Sequence, residues 1–330
     1  MKLIIQIPCF NEAETLPITL QALPRELPGF STVEWLVIND GSTDRTVEVA
    51  RACGVDHIVT FTGNQGLARA FLAGLDSAVR LGADVIVNTD ADNQYMADDI
   101  PVLTAPILAG KADVVVGARP VGQIDSFSVI KKLLQKAGSA VVRFVSKTEI
   151  ADAPSGFRAM TREAALRFNV FNEYTYTLET IIQSGQKGIT IISVPVRVNP
   201  ELRPSRLVKS IPSYLGKSIV TIARIFVVYK AFRFFMTVGL LIFSAGLAGG
   251  IRFLCFYFSG NGSGHIQSLI FASILLGIGF QTMLTAFLAD LLAVNRRLME
   301  DIQYRVKKLE FSGSTAPLSG AAADRHDRLH

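Results

Sequence analysis

The chain has 330 residues, 49% of them hydrophobic, and a formal net charge of +5. That length allows one or two domains with a substantial core. The three cysteines, Cys9, Cys53 and Cys255, are odd in number and form no CxxC pair, which reads as reduced thiols, consistent with a cytosolic catalytic part.

In chain order, "LIIQIP" at 3–8 predicts a strand; its apolar core is too short for a signal peptide. Residues 14–27 have a helical pattern, with Pro17 near a first turn. "VEWLVIND" at 33–40 is a second strand, followed by a helix to Cys53 that Ser42, Thr43 and Asp44 can cap. "HIVTF" is a third strand, and an Ala-rich helix spans 65–81. "ADVIVNTD" at 83–90 and "ADVVVGAR" at 112–119 are the fourth and fifth. This alternation implies right-handed βαβ units, a mostly parallel sheet, and ligands bound beyond the carboxyl ends of the strands. Asn11, Asp40, Asp90 and Arg119 all follow strands, so they are expected at one rim.

The fourth strand stops at Asp90 and Asp92, one residue apart. Such a pair is either a turn in which Asp bonds its own backbone or a site where carboxylates hold Mg²⁺ or Mn²⁺ against phosphates. "NQGLARAFLAG" at 64–74 starts a helix; its glycines either present amides to a phosphate or serve close packing. No GxGxxG follows the first strand and no GxxxxGK[ST] occurs, which argues against a dinucleotide fold and a P-loop NTPase.

Residues 123–145, with Lys131, Lys132 and Lys136, and residues 203–230 mix basic and apolar positions at helical spacing. Both suit helices lying on an anionic leaflet. Uncharged runs then cover 234–251 and 266–289, each near the ~20 residues that cross a bilayer. Lys and Arg flank both runs but are missing from the loop at 259–265, so the termini are expected in the cytoplasm and the loop outside. The expected organisation is a catalytic domain over 1–202, interfacial helices over 203–232, two spans within 233–295 (about 234–258 and 266–290), and a tail over 296–330, mostly disordered after 310.

The ordered set "IPCFNE", "VINDGSTDRT", "NQGLARA" and "TDADNQ" resembles the nucleotide-sugar-binding half of family 2 glycosyltransferases, with the GT-A fold. "VVGAR" at 115–119 and "SGFRAM" at 155–160 narrow the resemblance to polyprenyl-phosphate hexosyltransferases, the dolichyl-phosphate mannose synthases and bacterial undecaprenyl-phosphate glucosyltransferases. It covers roughly residues 1–310, and it turns the Asp90/Asp92 pair toward the metal reading. The resemblance implies a nucleotide-sugar donor near Pro8, Asn11, Glu12, Asp40, Asp90 and Gln94, and Mg²⁺ or Mn²⁺ on Asp90 and Asp92. Asp40 can accept a base N–H. Arg119, Arg143 and Arg158 are candidates for a lipid phosphate, because guanidinium forks match phosphate oxygens. Asp152 is a candidate base or acceptor orienter, and Asp92 the more direct metal ligand.

The implied reaction is inverting transfer of a hexose, glucose from UDP-glucose in the first instance, onto undecaprenyl phosphate at the cytoplasmic leaflet of a bacterial inner membrane. GDP-mannose or a UDP-N-acetylhexosamine is the alternative donor, and a non-catalytic nucleotide-sugar-binding subunit the alternative class. A homo-oligomer, such as a tetramer, is expected, and no nucleic-acid partner. A processive polysaccharide synthase would carry QxxRW, but the single Trp here is Trp35. A nucleotidyltransferase would need an early Gly-rich loop that "IPCFNEAE" does not supply.

Overall fold

The computed structural model describes residues 1–120, 139–140, 142–143, 146, 148–170, 176–200, 230–260 and 266–312. Most of 123–145, nearly all of 203–230, most of the 259–265 loop and the tail beyond 312 lie outside the described residues, and with them the interfacial helices expected there. The chain divides into two compact units, Met1–Ser213 with Asp301–His330, and Tyr214–Glu300.

The first unit is built on seven strands: β1 Lys2–Cys9, β2 Thr32–Asn39, β3 His57–Thr60, β4 Val85–Asn88, β5 Val114–Ala118, β6 Arg158–Thr161 and β7 Ile191–Pro195, in the order β3-β2-β1-β4-β6-β5-β7. Helices α1 (Leu16–Ala22), α2 (Thr46–Ala52), α3 (Leu67–Arg80), α4 (Ile100–Leu108), α5 (Arg162–Arg167) and α6 (Thr177–Lys187) connect and cover them. The strand period of two sorts the side chains. Leu3, Ile5 and Ile7 of β1 join Trp35, Val37, Val85 and Val87 in a core with Leu16 and Leu20 of α1 and Leu103 of α4. The other face takes α3, which buries Ala70, Phe71, Gly74 and Leu75. A Cβ on Gly74 would lie 2.4 Å from Gln6 Oε1, so this helix can sit so close only with glycine there.

The sheet is mostly parallel, as the alternation implies, and differs in one respect that matters. β6 runs antiparallel to both β4 and β5. Residues preceding β6 therefore reach the same end of the sheet as residues following β1, β2, β4 and β5. β6 and β7 were absent from the expected strands. β1 runs one residue further at each end than expected and β2 lies one residue earlier, whereas α1 is much shorter: the chain leaves the helix at Leu23, short of the anticipated residue 27. The capping expectation at α2 is also redistributed. Asp44 Oδ1 accepts the Thr46 amide at 3.0 Å, whereas Ser42 and Thr43 serve Asn11 instead.

The second unit contains α7 (Ala231–Phe258) and the first part of α8 (Ile266–Ser312). Both helices are long and apolar enough to cross a membrane. They pack closely at glycines: a Cβ on Gly239 would meet Met283 at 2.8 Å, and one on Gly279 would meet Phe243 at 2.5 Å. Small residues at such crossings let helix backbones approach, as in membrane bundles. Outward positions such as Leu241, Phe258, Phe271 and Leu291 are exposed. The last turns of α8 belong to the first unit, where Lys307 pairs with Asp76 at 2.8 Å, Arg80 with Glu310 at 2.8 Å, and Phe311 is buried.

Candidate active site

Two loops form the β1/β2 side of the rim. Asn11, at φ 56° in the left-handed region that Asn tolerates, donates its amide to Ser42 Oγ at 2.9 Å and accepts the Thr43 amide at 2.8 Å. Glu12 donates its amide to Thr46 Oγ1 at 2.9 Å, and its carboxylate accepts the Thr15 hydroxyl at 2.6 Å. Pro8 is buried in β1 opposite Ile38. Asp40 is 3% exposed, and its two oxygens accept the amides of Gln65 and Gly66 at 2.7 and 2.9 Å. The amides at the start of "QGLARA" are thus held by the protein's own carboxylate. Gly41 makes this approach possible: at φ +69°, a Cβ there would lie 2.4 Å from the Gly63 carbonyl carbon.

The β4 end carries Asp90 and Asp92. Burial pushes the Asp90 carboxyl up to about 7; the Asp92 charge adds to the rise and Arg119 opposes it. Asp92 Oδ1 accepts the Gln94 amide at 3.2 Å. The backbone of Gly156 presses against Asp90: a Cβ there would stand 3.1 and 3.2 Å from its oxygens and 3.0 Å from the Tyr176 hydroxyl. Gly156 is fixed from both sides, donating its amide to Tyr95 Oη at 3.0 Å and accepting Asn88 Nδ2 at 2.8 Å. Asn88 also donates to Tyr176 Oη at 2.9 Å and accepts from Gln6 Nε2 at 2.8 Å. A connected polar layer therefore lies behind the carboxylate. Its members were not among the expected site residues, although a polar Asn88 and Gln6 inside apolar strands are a signal readable in sequence. Stacking of Tyr176 on Phe71 and of Tyr95 on Phe157 holds the two phenols.

The β5 and β6 sides meet across the rim. Arg119 donates through Nε to Asp152 Oδ2 at 2.7 Å and through Nη2 to Asp152 Oδ1 at 3.2 Å, a bidentate fork, and Asp152 Oδ2 also accepts the Arg119 amide at 3.2 Å. The side chains are 9% and 1% exposed. Arg119 Nη1 reaches Gln94 Oε1 at 3.4 Å, joining this pair to the carboxylate loop. Arg158 lies behind. It is 1% exposed and donates to Ser155 O at 2.8 Å, Ala153 O at 2.9 Å and Thr180 Oγ1 at 2.6 Å; burial lowers its pKa to about 10. Arg143 is exposed and donates to Ile150 O at 3.3 Å. The structure brings Asp90, Asp92, Gln94, Arg119 and Asp152 together, puts Asn11, Glu12 and Asp40 in the adjoining loops, and turns Arg158 into the loop that carries Asp152.

Among the described residues, no group of three or more His, Cys, Asp or Glu is arranged to hold a metal ion. Two carboxylates suit the other mode, in which Mg²⁺ or a similar hard ion keeps several waters and takes further oxygens from a substrate's phosphates. The raised Asp90 carboxyl fits that mode, since a divalent cation would relieve the repulsion with Asp92.

The sheet and rim define the class of fold. Glucosyl-3-phosphoglycerate synthase from Mycobacterium tuberculosis, solved in complex with Mn²⁺, UDP-glucose and phosphoglyceric acid, shares it with a TM-score of 0.54 over 68% of this chain and 78% of that one, at 17% identity. Residues 4–167 match the model of Glycosyl transferase family 2. Among curated relatives, an undecaprenyl-phosphate mannosyltransferase from Micrococcus luteus is 28% identical over 68% of this chain and 93% of its own length. A prophage bactoprenol glucosyl transferase homolog from Escherichia coli (strain K12) is 31% identical over 55% of this chain and 59% of its own.

Proposed function

We propose that the protein is an inverting, metal-dependent glycosyltransferase that moves a hexose from a nucleoside-diphosphate sugar to a polyprenyl phosphate at the cytoplasmic face of a membrane. One juxtaposition carries this reading. The Asp90/Asp92 pair, suited to a divalent ion on a diphosphate, stands beside a guanidinium, Arg119, held in a fixed fork by Asp152. A guanidinium has five N–H donors; Asp152 and Gln94 take three from Arg119, and two remain for an acceptor phosphate.

A phosphate monoester has a second pKa of about 6 and is mostly dianionic at neutral pH. Its oxygen can attack the anomeric carbon without a strong base, provided it is positioned. Asp152, locked to Arg119 through both oxygens, orients that guanidinium rather than taking a proton. Attack from the face opposite the leaving group forms the new C–O bond as the donor's C–O bond breaks, which inverts the anomeric centre and releases the nucleoside diphosphate. The ion supplies charge neutralisation on that leaving group when bound. Pro8, Asn11 and Glu12 line the nucleotide side, and Asp40 shapes it by holding the 65–66 turn. Arg143 remains a candidate for a second phosphate contact. Arg158 supports the acceptor side by fixing the Asp152 loop. The two apolar helices anchor the enzyme in the membrane, where its lipid acceptor resides.

For the donor we read UDP-glucose, in line with the bactoprenol glucosyl relative and the UDP-glucose complex of the solved neighbour. Mannose is the second reading, favoured by the Micrococcus relative, which aligns over nearly its whole length. The test is a panel of labelled UDP-glucose, GDP-mannose and UDP-N-acetylglucosamine with detergent-solubilised protein, undecaprenyl phosphate and Mn²⁺ or Mg²⁺. The expected result is label in the lipid phase from one donor, lost in EDTA. No labelled lipid from any donor, or full transfer in EDTA, rejects the proposal.

A further inference from the structure

The loop after Asp92 is held by a segment far away in sequence. β7 is the edge strand of the sheet, with β6 and β5 between it and β4. The chain after β4 nevertheless crosses to the exit of β7 and pairs with it, through an antiparallel bridge between Tyr95 and Val198. Asn199 sits at the centre of this pairing. Its amide N–H donates to Gln94 O at 2.8 Å. Its side-chain Nδ2 donates to Asn93 O at 2.9 Å and to Tyr95 O at 3.3 Å. Three consecutive carbonyls, beginning one residue after Asp92, are thus held by a single asparagine. Asn93 is itself left-handed at φ 56°, a conformation that Asn tolerates as a single residue and that the bond to its carbonyl helps to hold. Asp99 anchors the same segment, accepting the Arg197 amide at 2.6 Å and the guanidinium at 2.6 and 3.0 Å.

We propose that Asn199 is a positioning residue for the carboxylate loop. By holding the carbonyls of Asn93, Gln94 and Tyr95 it fixes the turn that aims Asp92 and Gln94 at the donor diphosphate. This rests on the proposed function for its consequence, and on the hydrogen bonds alone for its structural content. The side chain of Asn199→Leu is close in volume and neutral but cannot donate, so the bonds to the Asn93 and Tyr95 carbonyls are lost while the amide bond to Gln94 O can remain, which separates side-chain hydrogen bonding from space filling.

The experiment has two arms. Hydrogen exchange of the ligand-free protein, read on the peptide covering 89–96, is expected to speed up about tenfold in Asn199→Leu, the weight of one or two lost hydrogen bonds. Mn²⁺ titration in the presence of saturating UDP should show an apparent affinity lower by a similar factor, with kcat reduced and the acceptor KM unchanged. UDP binding without Mn²⁺ should match wild type. Wild-type exchange at 89–96 in a folded Asn199→Leu protein overturns the proposal, as does an unaltered Mn²⁺ titration. If that variant does not fold, Asn199→Asp, which keeps the shape and removes the side-chain donors, takes its place: faster exchange with weaker Mn²⁺ binding supports the proposal, and wild-type behaviour in either measurement overturns it. Because exchange needs no substrate, absence of transfer from every donor in wild type would sink the proposed function while the exchange arm still tests Asn199.

Discussion

At Asp90 two requirements oppose each other in the metal-free protein. The proposed function needs the carboxylate available to a cation, yet burial and Asp92 disfavour its charge, and its pKa stands at about 7. Between the unfolded carboxylate range and about 7 the folded state holds a proton that the unfolded state releases. Stability of the metal-free protein should therefore fall as pH rises through that window and level off above it. Asp90→Asn removes the ionisation. At pH 8 it should raise unfolding free energy by about 1–2 kcal/mol, less than the full shift implies because Asp92 and solvent share the charge, while transfer is lost. Thermal melts of wild type and variant in EDTA at pH 5 and pH 8 check this; equal pH slopes would show that Asp90 is not the titrating group. Arg119 makes a second residue-scale claim. A charge-assisted contact contributes about 1.5–3 kcal/mol, so Arg119→Ala should raise the acceptor KM roughly ten- to a hundredfold. Arg119→Lys should recover only part, since a point charge replaces a fork. UDP binding by calorimetry should change little. Loss of UDP binding with an unchanged acceptor KM would place Arg119 on the donor side.

The element that assembles the site is β6. Because it runs against its neighbours, the loop before it, with Asp152 and Gly156, arrives at the rim where β4 and β5 end. Arg158, the first residue of β6, pins that loop through the Ala153 and Ser155 carbonyls and ties it to α6 through Thr180. Arg158→Met should leave these acceptors unsatisfied and cost about 2–4 kcal/mol of stability, seen as a lowered Tm with or without lipid phosphate. A variant with the wild-type Tm and a raised acceptor KM would return Arg158 to the phosphate site. The same element shows where sequence reading stops. β1, β2 and β4 announce themselves as apolar runs ended by Asn and Asp, and the carboxylate pair is visible because it interrupts such a run. β6 is four residues, "RAMT", beginning with an arginine, and neither period nor propensity marks it as a strand. The Arg119–Asp152 fork joins residues 33 apart and Asn199 reaches back 106 residues to Asn93. Such contacts follow from strand order, which local pattern does not encode. Asp40 shows the converse: its place at a strand end was readable, but its engagement with the Gln65 and Gly66 amides depends on how two loops approach at Gly41.

At the scale of the whole molecule, orientation in a membrane depends on how charge is distributed around two apolar helices. Arg233 lies near the start of α7, Arg296 and Arg297 lie in the later part of α8, and the 259–265 connection contains no Lys or Arg. Positive flanks stay on the cytoplasmic side, so the sheet-bearing domain and the last turns of α8, which pack on it through Lys307 and Phe311, should share one side of the membrane. A single cysteine at Ser263 tests this. Cys255 is exposed on α7, so the background should be Cys255→Ser, with buried Cys9 and half-buried Cys53 retained as internal controls. An impermeant maleimide added to intact cells should label Ser263→Cys strongly, and labelling of the background protein should stay low until lysis. A cysteine at Ser31, in the sheet-bearing domain, should label only after lysis. If Ser263→Cys reacts only after lysis while Ser31→Cys reacts in intact cells, the orientation is inverted. The domain would then face away from cytoplasmic nucleotide sugars, and the proposed donor could not reach Asp90 and Asp92.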